Sequence, residues 1–111
     1  MEALRRGDVV VVALQGAHGK PRPAVVVQRT EALTHSMIVI CPITSELRTT
    51  APLVRVTVDP SPSTGLRPVS QVMIDRVVTA PAQKLGPIIG SLSDEAMGEV
   101  TRRLTFWLGV A

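Results

Sequence analysis

Lys20-Pro-Arg-Pro-Ala-Val-Val-Val-Gln28 places four consecutive apolar residues, Ala24 to Val27, behind two prolines that flank a single arginine. An apolar run without alternation predicts a strand buried on both faces. Each proline fixes its own φ, and Pro23 also turns Arg22 away from helical geometry toward an extended one. A stiff approach therefore delivers one guanidinium at the mouth of a core strand. The pattern alone admits two readings: a charge held in place for chemistry, or an arginine that lays its stem along the strand end and keeps its head in water.

The same kind of run occurs on either side. Upstream, polar Arg5-Arg-Gly-Asp8 leads into Val9-Val-Val-Val-Ala-Leu14, again without alternation. Downstream, Met37-Ile-Val-Ile-Cys-Pro-Ile43 gives a third strand. Pro42 has no N–H to donate, so it marks a bulge or the strand's end, with Thr44-Ser45 emerging just past it. Between the first two strands, Gln15-Gly-Ala-His-Gly-Lys20 is a loop in which two glycines bracket His18. Loops carried on a rigid scaffold are frequent sites of function. Thr30 to Ser36 has room for one helical turn.

Leu53-Val-Arg-Val-Thr-Val58 alternates, with Leu53, Arg55 and Thr57 on one face and three valines on the other, as a half-exposed strand does. Asp59-Pro-Ser-Pro-Ser-Thr-Gly65 is dense in turn residues. Val69 to Val78 reads as two short strand pieces with Gln71, Asp75 and Arg76 as polar members. Pro81 to Pro87 reads as a turn or brief helix, and Ile88 to Leu92 as a last edge strand. Ser93 is a natural N-cap, and Asp94 and Glu95 suit the positive end of a helix dipole. Met97, Val100, Leu104 and Trp107 recur at helical spacing and predict a core-facing stripe, and Gly109 is placed to stop the helix. The expectation is a single domain over residues 1–111, mainly β with a C-terminal α-helix. Six or seven short strands form a small closed antiparallel barrel, and no crossover helices are present to support a parallel sheet.

Composition narrows the function. The 111 residues suffice for one core, and 45% hydrophobic residues with a mean hydropathy of +0.28 exclude a disordered chain. No apolar run is long enough to span a bilayer and no signal-peptide pattern precedes Arg5, so a soluble cytoplasmic protein is expected. Cys41 is the single cysteine and sits inside an apolar run. It reads as a core thiol more readily than as a nucleophile, and one Cys with two His makes a poor metal site. No metal and no cofactor is expected. Net charge is +3, and ten of the twelve basic residues are arginine, the exceptions being Lys20 and Lys84. Arginine favours bidentate contact with phosphate or carboxylate, so a nucleic acid or an acidic protein is the indicated partner. Phe106 and Trp107 are the only aromatic residues. A generic single-strand binder stacks bases on several rings, so an RNA partner would have to be read mainly through hydrogen bonds and charge.

Three polar points emerge at strand ends: His18 with Lys20, Arg22, and Thr44 with Ser45. In an antiparallel meander the start of the second strand can lie beside the end of the third, which would bring Arg22 near Thr44. An arginine and a hydroxyl can clamp a charged phosphoryl centre, and a nearby histidine can move protons near neutral pH. Metal-independent RNA cleavage needs no more, because the RNA's own 2′-hydroxyl is the nucleophile.

Five stretches together resemble one family. Arg5-Arg-Gly-Asp-Val-Val-Val-Val, Pro21-Arg-Pro-Ala-Val-Val-Val, Cys41-Pro-Ile-Thr-Ser45, Gln71-Val-Met-Ile-Asp-Arg-Val77 and Ile89-Gly-Ser-Leu-Ser-Asp-Glu-Ala-Met-Gly-Glu-Val100 are similar, in order, to the MazF/PemK/Kid toxins. The resemblance implies a homodimeric SH3-like barrel of the CcdB/MazF type. It further implies the toxin of a type II toxin–antitoxin pair, cutting single-stranded RNA without metal to leave a 2′,3′-cyclic phosphate and a 5′-hydroxyl. Its implied partner is an antitoxin whose acidic, disordered segment blocks the RNA groove.

Carried over by position, the family's catalytic arginine falls on Arg22 and its hydroxyl on Thr44. Asp75 matches an acidic position that contributes to the RNA site in some members. Lys20, Ser45 and Arg76 complete the expected RNA-contacting set. Arginine is too weak an acid to be an easy base, so a proton-transfer role for Arg22 comes from the resemblance alone, whereas clamping the phosphate follows from its chemistry. The chain departs from the family in two places. Gly16-Ala-His-Gly lacks the acid that many members carry in the first loop, where His18 is the substitute candidate, and Met73 is apolar where some relatives place a basic residue. Two alternatives stay open: a non-enzymatic CcdB-like gyrase poison on the same fold, and a catalytically lapsed homologue that only binds an antitoxin.

Overall fold

The computed structural model describes residues 3–14, 20–34 and 36–110. Seven strands and one long helix follow in order: β1 (Asp8–Val12), β2 (Arg22–Val26), β3 (Met37–Thr44), β4 (Arg55–Val58), β5 (Ser70–Met73), β6 (Val78–Pro81), β7 (Leu85–Ser91) and α1 (Asp94–Leu108). Short 3-10 turns occupy Thr30–Ala32, Ile74–Arg76 and Ala82–Lys84. All strand pairs are antiparallel, and the sheet runs β4-β5-β3-β2-β1-β7 with β6 also paired to β3.

The unbroken apolar runs of β1 to β3 have a simple cause. Their side chains alternate between two separate cores. Val9, Val25, Cys41 and Ile43 enter one, together with Val100 and Leu104 of α1. Val10, Val12, Ala24, Val26, Ile38 and Ile40 enter the other. Both faces are covered, so neither is free to be polar.

Pro42 lies inside β3, between Ile40, the last residue paired to β6, and Ile43, the first paired to β5. On that edge β3 changes partners, and the residue without an N–H stands at the change. Neither a bulge nor a strand end is needed, because β3 runs on to Thr44.

Closure differs from the expected barrel. The strand path has two ends, and β4 makes no ladder with β7. Instead the turn that follows β4 lies against β7 by backbone contact, with the Ser91 N–H donating to the Ser63 carbonyl at 2.9 Å. A Cβ on Gly90 would sit 2.3 Å from the Thr64 carbonyl carbon, so this approach requires a residue without a side chain. The sheet is barrel-like and is completed on that side by a turn.

The helix follows its sequence signals closely. The Ser93 side chain accepts from the Ala96 N–H, and Gly109 adopts the left-handed conformation with Val110 N–H returning to the Thr105 carbonyl. Met97, Val100 and Leu104 are buried, but Trp107 is 47% exposed. Trp107 departs from the expected stripe because α1 packs on β4 and the Ile74–Arg76 turn, and its last turn runs beyond that support. The β7 strand begins at Leu85, three residues before the expected edge strand. No helix among the described residues is long and apolar enough to cross a membrane.

Candidate functional site

Antiparallel pairing builds the site. Ala24 of β2 faces Pro42 of β3, and continuing that register two residues outward sets Arg22 opposite Thr44. Arg22 opens β2, exposed, directly after Pro21, while Thr44 closes β3, half-buried. Both line a groove of about 970 Å³ together with Pro21, Pro23 and Ser45. The two strand ends are brought together as the sequence suggested.

Thr44 has a defined chemical polarity. Its Oγ1 accepts the Glu46 N–H at 3.0 Å, a short side-chain turn across the end of β3. The hydroxyl hydrogen stays available to donate. Next to a phosphoryl oxygen that hydrogen is the useful part of the group.

The groove's charge is one-sided. Arg22, Arg48, Arg55, Arg67 and Arg76 line it, against Glu46 as its carboxylate. Arg76 is expected from sequence, but Arg48, Arg55 and Arg67 are not. Arg48 comes from the loop after β3 and Arg67 from the segment before β5. Arg55 stands across from Met73 in the β4–β5 pairing. The neighbouring strand thus supplies a cation at the surface where Met73 itself is apolar. An alternating strand pattern marks Arg55 as outward-facing, but no local pattern marks loop arginines as convergent.

The remaining expected residues fall around this groove or outside it. Lys20 is exposed just ahead of β2, and Asp75 is exposed on the turn that carries Arg76; neither side chain is among the lining residues. His18 lies outside the described residues. Among those described, no three His, Cys, Asp or Glu side chains gather closely enough to hold a metal ion. Cys41 is buried, and burial pushes its thiol up to about 12. It lies away from the groove lining and packs in the core under α1.

Residues 5–108 match the family model of the PemK-like, MazF-like toxins of type II toxin–antitoxin systems. A probable endoribonuclease MazF of Mycolicibacterium smegmatis is 38% identical over 109 residues, spanning 97% of this chain and 99% of the relative. The chain belongs to this family. Solved structures agree on the fold. An endoribonuclease from a mycobacterial species, in complex with its cognate antitoxin, superposes with a TM-score of 0.82 at 24% identity, covering 98% of each chain. A chain of a MazE–MazF crystal structure from Deinococcus radiodurans gives 0.76 at 22% identity, over 97% of this chain and 98% of that one. Within the PemK/MazF fold, the arginine-lined groove therefore opens between the β1–β3 strand ends and the β4–β5 pair.

Proposed function

We propose that this chain is the toxin of a type II toxin–antitoxin pair and a sequence-specific endoribonuclease acting on single-stranded RNA. The observation that supports this reading is one groove whose lining holds five arginines, Arg22 among them, together with Thr44, the two lying just beyond the Ala24–Pro42 pair of β2 and β3. The RNA 2′-oxygen bonds to the adjacent phosphorus and the bond to the 5′-oxygen breaks. A 2′,3′-cyclic phosphate and a 5′-hydroxyl result. In this scheme the Arg22 guanidinium and the Thr44 hydroxyl hold the developing negative charge on the phosphoryl oxygens. The 2′-hydroxyl must lose a proton and the leaving oxygen must gain one. Arg22 and His18 are our candidates for these two transfers. Ser45, Arg76, Lys20 and Asp75 are assigned to RNA contact.

We further assign the chain a cytoplasmic location, a homodimeric state and an antitoxin partner with an acidic segment, which the arginine-lined groove suits by charge. The decisive experiment incubates the purified protein with a long RNA in EDTA and maps the ends. Discrete cuts with 5′-hydroxyl ends are expected. Arg22→Ala and Thr44→Ala should each lower the cleavage rate at least about 100-fold, with the melting temperature unchanged. Intact RNA across varied sequences, or a fully active variant at either position, overturns the assignment.

One observation favours a second reading: Phe106, Trp107, Leu108 and Val110 are all exposed at the end of α1. A gyrase poison of the CcdB type would use such a helix end and would need neither Arg22 nor Thr44. A gyrase supercoiling assay separates the two.

A further inference from the structure

Gln71 is a polar side chain with 6% exposure, and the cleavage chemistry does not use it. It sits on β5 in register with Thr44 of β3 on one side and Thr57 of β4 on the other, so the three share one row across the sheet. Over this row passes the exposed loop from Ser45 to Leu53 that carries Arg48.

The carboxamide of Gln71 is fully engaged. Its Oε1 accepts the Arg48 N–H at 2.9 Å, and its Nε2 donates to the Arg48 carbonyl at 3.1 Å. It thereby binds both main-chain groups of one loop residue, as a neighbouring strand would. The same Oε1 receives Arg55 Nη1 at 3.4 Å, and Nε2 reaches Thr57 Oγ1 at 3.3 Å. Two acceptor sites and two donor hydrogens are all that a carboxamide has. Arg48 and Arg55, the two arginines it touches, both line the groove with Arg22 and Thr44. Among the described residues the loop is also tied at its far end, where Arg103 Nε donates to the Pro52 carbonyl at 3.0 Å, and near its start, where Arg55 Nη1 reaches the Glu46 carbonyl at 3.5 Å.

We propose that Gln71 is a positioning residue for RNA binding: it fixes the loop backbone at Arg48 and the side chain of Arg55, and so sets where these two cations meet the RNA backbone. The inference rests on the RNA-cleaving reading of the groove. A core amide kept only for stability would satisfy itself on strand neighbours. This one instead spends two of its four hydrogen bonds on a loop that adds no buried apolar residue to either core. Leaving a buried partner of such a set unpaired is costly, so the loop and the amide hold each other in one arrangement.

The test compares wild type, Gln71→Met, Gln71→Glu, Arg48→Ala and the Gln71→Met/Arg48→Ala double variant. The RNA is an oligonucleotide spanning a mapped cleavage site, used intact for kinetics and with a 2′-deoxy substitution at the cut for binding. Methionine keeps the length and makes none of the four bonds. Gln71→Met should raise Kd and KM about tenfold, with kcat falling less than KM rises. The dependence of log Kd on log salt should become shallower by about 0.7 for each phosphate that is no longer engaged. Glutamate keeps the acceptor for the Arg48 N–H and loses both donors, so it should fall between wild type and Gln71→Met. The loss in the double variant should be smaller than the product of the single losses, because both changes remove the same interaction.

Unchanged binding in Gln71→Met, losses that multiply, or a fall in kcat at constant KM each overturn the proposal. Hydrogen exchange at the Arg48 amide reads the clamp without any RNA. Exchange at least about tenfold faster in Gln71→Met is expected, and an unchanged rate overturns the proposal; Gln71→Thr, whose side chain is too short to reach the loop, gives the same reading if Gln71→Met fails to fold. If wild type binds the oligonucleotide and cuts no RNA, the enzymatic reading falls, and the clamp is then decided by the exchange and salt measurements.

Discussion

Cys41 shows how far a single side chain can be pushed by its surroundings. Burial raises the thiol to about 12, with Arg6 acting in the opposite direction and Asp75 reinforcing it. The folded state therefore keeps this proton over a range in which an unfolded chain, whose thiol titrates near 9.0, gives it up. Stability contributed by the neutral thiol is complete below pH 9 and declines as pH rises from there toward 12. The slope for one such group is about 1.4 kcal/mol per pH unit. Denaturant melts of wild type and Cys41→Ala should diverge in their pH dependence only above about pH 9. Alkylation by iodoacetamide at about pH 8, below the ordinary thiol range, should require unfolding. Rapid labelling of the native protein would contradict the burial. Other residues at this scale are unevenly legible in the sequence. Arg22 and Thr44 can be paired because both end strands whose apolar runs are unmistakable. Arg48 and Arg67 cannot, since their convergence depends on the path of loops. Gln71 reads as one polar residue of a short strand, and only the loop folded over it reveals its partners.

Among the elements, the turn after β4 and the strand β7 meet backbone to backbone at Gly65 and Gly90. Adding a Cβ at Gly90 drives it into the main chain of Ser63 and Thr64, which cannot yield as a flexible side chain would. Gly90→Ala should therefore cost about 1–3 kcal/mol, seen as a clear drop in melting temperature. Gly98 is a useful contrast. It lies inside α1, and its added Cβ would meet only the Arg102 guanidinium, at 3.7 Å. Gly98→Ala should stabilise the protein by roughly 0.5–1 kcal/mol, because alanine is the better helix former. If Gly90→Ala is as stable as wild type or more so, the close approach at Gly90 is wrong. The strands β1 to β3 and both ends of α1 are legible because continuous apolar runs and capping residues are local signals. Trp107 reads as a core residue and is not one, because helical spacing gives the direction of a side chain and says nothing about where the supporting sheet ends. Closure by a turn is hidden for a related reason: it depends on Gly65 and Gly90, far apart in the chain, finding each other's strands.

For the whole molecule, the governing quantity is the sign of charge along the groove. A net charge of +3 is modest. Five arginines lining one groove with Glu46 as the carboxylate make the local field far stronger than that total suggests. RNA binding should therefore be salt-sensitive. With about four phosphates engaged, affinity for a single strand should fall roughly twentyfold between about 100 and 300 mM salt. Titrations of an uncleavable oligonucleotide at several salt concentrations check this. A flat dependence would show that the arginines do not meet the backbone.

The two cores fed by alternate residues of β1, β2 and β3 carry a liability for the folding chain. A strand that is apolar on one face only cannot slide by one position without exposing its oily side. These strands can, since either set of side chains would still be buried. Hydrophobicity thus gives little guidance on alignment, and the task passes to residues that break the uniformity. Pro23 and Pro42 are suited to it because a misaligned neighbour would aim a carbonyl at a nitrogen with no hydrogen. A shift of one step would also carry Arg22 away from Thr44. The imino acids in these strands therefore serve as alignment marks for the chemistry, and conservative exchanges among the valines should be tolerated where replacement of Pro23 or Pro42 is not.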